Sequence, residues 1–173
     1  MSEVLKIIKA RRSVRKYQDK EIPAEMIEKL KEALIWAPSA GNLQARKFYF
    51  VFKKELRVEL TAKASLYHQA FIAQAPLVIV ACTDEKKMER YGERGRELYL
   101  VNDVSSAIQN AMLVATELGL GSCWVGAFDE GAVRKILDLP AHERPVALLP
   151  VGYPDEKPAN RGRVSAAEAI KEI

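Results

Sequence analysis

A chain of 173 residues, 49% hydrophobic and 29% charged, has the composition of a globular protein and is long enough to bury a core without support from disulfides or metals. The composition argues against disorder, and the lack of any run of about 18 apolar residues argues against a membrane-spanning helix. The formal net charge of +4 does not by itself indicate a nucleic-acid partner, because acidic and basic residues alternate as they do on solvated helix surfaces.

The first predicted element is a short helix that leads into a basic stretch. Apolar spacing predicts a helix over residues 2–10, and residues 11–17 then contain four basic side chains and a serine. Such a run is often a solvated surface turn. It also suits a phosphate group, because arginine side chains bind phosphate oxygens in pairs and a serine hydroxyl adds a donor.

The second predicted helix ends in a loop of small and amide residues. Pro23 favours a helix start, and Pro38 stops the helix before the loop 38–44, which precedes a strand over residues 48–52. Pro, Ser, Gly and Asn are the ordinary residues of turns. Alternatively, Asn42 and Gln44 recognise a planar heterocycle with an N–H beside a carbonyl, because each amide both donates and accepts.

Three further segments lie in the middle of the chain. Residues 55–64 have the pattern of an amphipathic helix, and the unbroken apolar run 77–83 predicts a strand buried on both faces. Residues 84–96 are charged and contain glycine, so we expect an exposed, mobile segment.

A long helix over residues 103–118 is apolar nearly all the way round, so we expect it to be covered on both sides, within a large domain or between two chains. Asp103 is predicted to cap its first turn, and Gly119 to end it in a left-handed conformation. A short buried strand is predicted for residues 123–128, where Gly121 and Gly126 leave bare backbone that a flat ligand could touch.

The last part of the chain contains a helix, a strand and a loop. Asp129 is predicted to cap a helix, residues 145–151 form the fourth strand, and Ser165 opens a final short helix. Four short strands separated by helices suggest, by themselves, a parallel α/β sheet. The sequence contains no hydrolase, Walker-type or dinucleotide motif. The basic clusters near both ends of the chain, with the amide loop and the glycine-flanked strand between them, indicate a ligand with a phosphate tail and an aromatic head.

We expect one cytoplasmic domain over residues 1–173, because the start of the chain lacks a signal-peptide pattern. Cys82 and Cys123 each fall in a predicted buried strand, where a free thiol serves as an apolar filler and no disulfide is expected. His68 and His142 have no second histidine or cysteine at ligand spacing, so no metal site is predicted.

Four motifs, in this order, resemble the flavin-dependent nitroreductase family in the small form common in bacteria and archaea. The likeness covers almost the whole chain and rests on residues 11–15 (RRSVR), 38–44 (PSAGNLQ), 119–126 (GLGSCWVG) and 150–154 (PVGYP), the last leading to Arg161 and Arg163. The resemblance implies an α+β fold, a three-layer α/β/α arrangement with a mainly antiparallel central sheet, in place of the parallel sheet. It also implies an intertwined homodimer with two FMN molecules at the subunit interface.

The resemblance also implies the residues that bind FMN. The phosphate would be held by Arg11, Ser13, Arg161 and Arg163, with help from Arg12. Arg15 would face the N1/O2 edge of the flavin and raise its reduction potential, because positive charge stabilises the anionic reduced ring. The loop contributed by the partner chain would supply Pro38, Ser39, Ala40 and Asn42, and Gln44 would help to fix the pyrimidine edge of the flavin. The backbone of Val125 and Gly126 would lie at N5 and O4, and Gln69 is a further contact.

The activity implied is hydride transfer from NADH or NADPH to FMN, followed in ping-pong order by electron transfer to a nitroaromatic, quinone or flavin-type acceptor. No catalytic acid or base, metal, nucleic acid or membrane is expected to take part. The alternatives are dehalogenation, dehydrogenation or flavin fragmentation on the same fold, flavin binding without turnover, and a non-enzymatic module that binds polyanions. One departure stands out: many relatives have Pro-Trp where this chain has Ala45 and Arg46.

Overall fold

The computed structural model describes residues 2–67 and 69–173, so the prediction made for His68 lies outside the described residues. Its sheet has four strands in the order β1-β2-β4-β3. The strands are β1 (Arg46–Val51), β2 (Leu77–Thr83), β3 (Gly121–Ser122) and β4 (Pro145–Gly152). Each pair of neighbours is antiparallel, so the parallel sheet suggested by strand and helix alternation is wrong and the antiparallel sheet implied by the resemblance is confirmed.

Helices of different kinds connect and cover the strands. The α-helices are α1 (Glu3–Ala10), α2 (Ala24–Ile35), α3 (Lys54–Glu59), α4 (Phe71–Gln74), α5 (Gly92–Arg94), α6 (Leu100–Glu117), α7 (Glu130–Leu137) and α8 (Ala166–Ala169). Short 3₁₀ turns span Ala40–Asn42 and Glu85–Tyr91, and π-helical turns span Leu60–Ala64 and Gly95–Tyr99. In the described part of the chain, no helix combines the length and hydropathy needed to cross a bilayer.

Strand β2 shows why the sheet lies between two helical layers. Leu77 and Ile79 pack with α2 and α6, whereas Val78 and Val80 pack with α7 and the helical turns after α3. Both faces of the strand are therefore buried, and this accounts for its continuous apolar run. The three-layer arrangement is confirmed.

The long helix α6 begins before Asp103, so the prediction that this residue caps the first turn is wrong. Asp103 is buried within the helix, and its carboxylate accepts a hydrogen bond from the Ala40 N–H at 2.8 Å. The predicted C-terminal end is confirmed: Gly119 has φ 74°, and the Leu120 N–H donates to the Ala115 carbonyl at 2.8 Å.

The glycine-rich segment after α6 differs from its prediction. Its strand is Gly121–Ser122, and residues 123–128 form no continuous strand: they carry isolated bridges at Val125 and Phe128 and a bond from the Cys123 N–H to the Pro150 carbonyl. Gly121 does not expose bare backbone to a ligand, because a Cβ placed there would lie 2.7 Å from a methyl group of Val14.

Several other local predictions are confirmed. Asp129 accepts the Ala132 N–H at 2.9 Å and caps α7, and Ser165 caps α8 through the Glu168 N–H at 3.2 Å. Cys82 and Cys123 are buried free thiols, as predicted. Residues 84–96 form helical turns that bury Met88, although most of their side chains are exposed.

Candidate functional site

The basic segment after α1 is fixed between β3 and the loop that follows β4. The Val14 N–H donates to the Ser122 carbonyl at 3.0 Å, and the Gln18 N–H donates to the Tyr153 carbonyl at 2.9 Å. The buried Tyr17 hydroxyl donates back to the Val14 carbonyl at 2.7 Å. These bonds place the start of the chain beside its C-terminal loop.

Arginines from both ends of the chain consequently line one cavity of about 340 Å³, here called the arginine cavity. Its lining consists of Arg11, Arg12, Ser13, Arg15, Glu156, Pro158, Ala159, Asn160, Arg161 and Arg163. The structure thus brings together every residue that the resemblance assigned to the phosphate, together with Arg15.

Most guanidinium groups of the arginine cavity have no acceptor within the described residues. Arg11, Arg15 and Arg161 form no side-chain hydrogen bond or ion pair there, and Arg163 donates only to the adjacent Gly162 carbonyl. The single carboxylate in the lining, Glu156, accepts from the backbone N–H of Arg15 rather than from a guanidinium. Because guanidinium groups bind phosphate oxygens in pairs, this set of donors fits the phosphate of FMN.

Arg12 differs from the other cavity arginines. Its guanidinium donates to the carbonyls of Lys9 at 2.7 Å, Ala10 at 3.2 Å and Arg11 at 2.9 Å, at the C-terminal end of α1. These acceptors are carbonyls that a helix end leaves without partners. Arg12 therefore lines the cavity while its Nη1 group caps α1, and its Nε and Nη2 groups have no acceptor among the described residues.

The 38–44 loop lies elsewhere in the same chain. None of its residues lines the arginine cavity, so a single chain does not bring the two parts of the predicted site together. Asn42 and Gln44 are exposed and have φ of 56° and 51°. The Gln44 N–H donates to the Ser39 hydroxyl at 2.9 Å, which holds the loop closed on itself.

The two predicted backbone donors, Val125 and Gly126, are not equivalent. The Val125 N–H and carbonyl both pair with Leu148, at 2.9 and 3.0 Å. Gly126 is exposed, and the nearest group to a Cβ built on it is the Trp124 ring at 3.7 Å. The bare backbone predicted for a flat ligand is therefore offered by Gly126.

Gln69 carries an orphaned polar atom. Its backbone N–H donates to the Ser65 hydroxyl at 3.0 Å, while its side-chain Oε1 is buried and has no hydrogen-bond partner among the described residues. Buried acceptors of this kind usually bind a ligand, a water or another chain.

Sequence reasoning assigned no role to Arg46, although a charge at the start of an apolar strand was a signal. Arg46 is 7% exposed, and its guanidinium donates to the carbonyls of Ile35 (3.1 Å), Ala37 (2.5 Å), Pro38 (2.9 Å) and Asp103 (3.1 Å). Burial lowers the pKa of Arg46, and the negative charge of Asp103 opposes that shift. Burial likewise raises the pKa of Asp103, against the hydrogen bond from Ala40 and the charge of Arg46.

Comparison with known proteins agrees with this arrangement. The Nitroreductase family matches residues 8–66 and 53–153. A protein of Methanothermobacter thermautotrophicus, provisionally named NADH dehydrogenase/NAD(P)H nitroreductase, is 37% identical over 164 residues, which cover 92% of this chain and 81% of the relative. The FMN reductase [NAD(P)H] of Bacillus subtilis is 29% identical over 178 residues, covering 95% of this chain and 71% of its own length.

A solved structure of a family member has the same fold. The FMN-dependent nitroreductase of Clostridium difficile superposes with a TM-score of 0.82 at 28% identity, covering 95% of this chain and 96% of that one. The order of the motifs, the antiparallel three-layer fold and the match over residues 8–153 agree with one another. This chain belongs to the nitroreductase family.

Proposed function

We propose that this chain is an FMN-dependent NAD(P)H oxidoreductase, a single domain that acts as a homodimer with FMN at the subunit interface. The observation that carries the proposal is the arginine cavity, where guanidinium groups without acceptors converge from both ends of the chain. The names of the relatives, NAD(P)H nitroreductase and FMN reductase, support the same class of reaction.

The phosphate would be bound by Arg11, Ser13, Arg161 and Arg163. Arg12 would contribute positive charge and its Nε and Nη2 groups, because its Nη1 group caps α1. Arg15 would face the pyrimidine edge of the ring, where its charge would raise the reduction potential. The exposed Gly126 N–H would donate to the N5/O4 side, since Val125 is already paired with Leu148.

A second copy of the chain would complete the site with its 38–44 loop. Helix α1 has no buried residue, and its apolar side chains Val4 and Leu5 are 61% and 46% exposed. Residues 159–173 are exposed throughout and carry Val164 and Ile170. Apolar surface of this kind at both ends of a chain is typical of a protein–protein interface, and it supports an intertwined dimer.

When bound, FMN would accept a hydride from NADH or NADPH and pass electrons in ping-pong order to a nitroaromatic, quinone or flavin-type acceptor. The chain binds, orients and tunes the cofactor and leaves one face open. No side-chain acid or base is required, and the proton comes from solvent. Burial raises the pKa of the Cys123 thiol, which accords with its place as a buried apolar filler beside the basic segment.

The test is the visible spectrum of the purified protein before and after anaerobic addition of NADH or NADPH. A yellow protein that bleaches, and that oxidises NAD(P)H when a nitroaromatic, a quinone or free flavin is supplied, supports the proposal. A colourless protein that does not bind added FMN overturns it. A yellow protein that never bleaches identifies flavin binding without turnover, and the reductase assignment then fails.

A further inference from the structure

The 38–44 loop has a backbone that needs support from outside the loop. Gly41, Asn42 and Gln44 have φ of 54°, 56° and 51°, so three of four consecutive positions are left-handed and two of them are not glycine. Left-handed backbone at residues with a side chain persists only where surrounding groups determine it.

Arg46 supplies that support at the carbonyl groups that lead into the loop. Its guanidinium donates to Ile35 and Ala37 at the end of α2, and to Pro38 at 2.9 Å, the first residue of the loop. A fourth bond, to the Asp103 carbonyl at 3.1 Å, attaches the same side chain to α6. One buried cation thus joins α2, α6 and the start of the loop.

Asp103 supplies the complementary support at an amide. Its Oδ1 accepts from the Ala40 N–H at 2.8 Å, where the Ala40–Asn42 turn begins. Pro38 is bound through its carbonyl and Ala40 through its N–H, so Ser39 is fixed on both sides. Asp103 Oδ2 is buried without a hydrogen-bond partner among the described residues, so the carboxylate depends on the charge of Arg46 for compensation.

We propose that Arg46 and Asp103 are positioning residues that hold the 38–44 loop in its ligand-ready form and thereby set the affinity for FMN. This inference rests on the proposed function, in which the loop of one copy contacts the FMN bound by the other. Among the described residues, neither side chain hydrogen-bonds to the side chain of Asn42 or Gln44, so the hydrogen bonds of Arg46 and Asp103 act on the backbone of the loop. Its effect is pre-organisation: a loop that is already ordered loses less entropy on binding.

The principal variant is Asp103→Ala, which removes the oxygen that accepts from the Ala40 N–H. A second variant, Arg46→Lys, keeps the charge but not the guanidinium fork that reaches several carbonyls. The matched control is Arg134→Met, because Arg134 also donates to turn carbonyls, those of Glu143 at 2.6 Å and Pro140 at 3.1 Å, and bonds to no part of the loop.

Two readouts are needed. Amide hydrogen exchange of the FMN-free protein follows the N–H groups of Ala40, Asn42 and Gln44, all of which are hydrogen-bonded. Titration with FMN, followed by quenching of flavin fluorescence, gives Kd. For Asp103→Ala, which leaves the Ala40 N–H without its acceptor, we expect exchange in the loop to accelerate and Kd to rise by roughly tenfold or more. Arg46→Lys should lie between this variant and the wild type, and Arg134→Met should leave both readouts within about twofold of the wild type.

The outcomes separate this inference from the proposed function. If wild type binds FMN and Asp103→Ala and Arg46→Lys bind it equally well, the positioning role is overturned and the function stands. If the Arg134→Met control changed loop exchange and the Kd for FMN by the same amounts, the effect would be general destabilisation. The positioning role would then also be overturned. If wild type binds no FMN, the proposed function fails, and unaltered exchange in the loop of Asp103→Ala would then show separately that Arg46 and Asp103 do not order it.

Discussion

The chain uses arginine in two opposite ways, and the arginine cavity and the loop support show both. Arg11, Arg15 and Arg161 face a cavity and have no acceptor among the described residues. Arg46 is buried and already donates to four backbone carbonyls. Guanidinium groups without acceptors indicate a site for an external anion, whereas a saturated guanidinium indicates scaffold. Substitutions at the two kinds of position should therefore change different quantities.

The largest effect is expected at the saturated position. Arg46→Met removes four hydrogen bonds and leaves the buried Asp103 carboxylate without an opposite charge, so the FMN-free protein should lose about 3–5 kcal/mol of unfolding free energy at pH 7. Urea unfolding measures this value.

The Arg46→Met/Asp103→Asn double variant is the control for the charge contribution. It should regain part of the loss, because no unpaired charge remains buried. If Arg46→Met lost less than about 1 kcal/mol of unfolding free energy, Arg46 would contribute no more than an ordinary surface arginine. The contrast between Arg46 and the cavity arginines would then be wrong.

The cavity arginines should show the reverse behaviour. Arg163→Ala should weaken FMN binding by about 1.5–3 kcal/mol, the usual range for a hydrogen bond to a charged group. The unfolding free energy of the FMN-free protein should stay unchanged, because Arg163 is exposed. Isothermal titration with FMN and urea unfolding of the same samples give the two numbers.

Arg12→Ala sharpens this prediction, since Arg12 lines the same cavity but caps α1. We expect it to weaken FMN binding less than Arg163→Ala and to lower stability more. If the two variants had the same affinity and the same stability, the distinction between a guanidinium that also caps a helix and one that does not would fail within the cavity.

A third prediction concerns the backbone of the basic segment that carries Arg11, Arg12 and Arg15. Gly121 allows Val14 to pack directly on β3, because a Cβ on Gly121 would lie 2.7–2.9 Å from three Val14 carbons. Gly121→Ala should therefore cost about 1–3 kcal/mol of unfolding free energy and shift the basic segment. Thermal unfolding checks the first effect, and an accompanying rise in the Kd for FMN checks the second. Gly119→Ala is the control that measures the cost of a positive φ alone, because none of the described atoms lies within 4 Å of a Cβ at that position.

The sequence predicted elements better than it predicted contacts. Apolar runs located β2 and β4, and the capping residues Asp129 and Gly119 were correct because their partners lie within a few residues. The direction of the strands was not predictable from these patterns: a strand buried on both faces looks the same in parallel and antiparallel sheets. The resemblance supplied the direction instead.

The misassigned residues are those whose partners lie far along the chain. Asp103 has the type and position of a helix cap, but its acceptor oxygen serves Ala40, 63 positions away. Gly121 was read as open backbone because the packing of Val14 cannot be seen in a local pattern. The replacement of Pro-Trp by Ala45 and Arg46, which raised a question about packing near the flavin, proves to introduce a buried guanidinium that binds the loop.

The smallest predicted effect concerns an arginine between the two extremes. Arg144 forms a two-bond ion pair with Glu130, at 2.9 and 2.7 Å, but both side chains are about half exposed. The hydrogen bond from Arg144 lowers the pKa of Glu130 below its ordinary value of 4.5. Its stabilising contribution is therefore complete above pH 4.5 and is lost as the pH falls through the lowered pKa.

Glu130→Gln should accordingly cost only about 0.2–1 kcal/mol at pH 7, because solvent screens exposed pairs, and the cost should vanish in acid. Asp103 behaves in the opposite sense: burial raises its pKa, so its ionisation reduces stability as the pH rises through that pKa. Urea unfolding of Glu130→Gln and Asp103→Asn at several pH values would reveal the two slopes. Slopes of the same sign would mean that burial does not distinguish the Glu130 and Asp103 carboxylates.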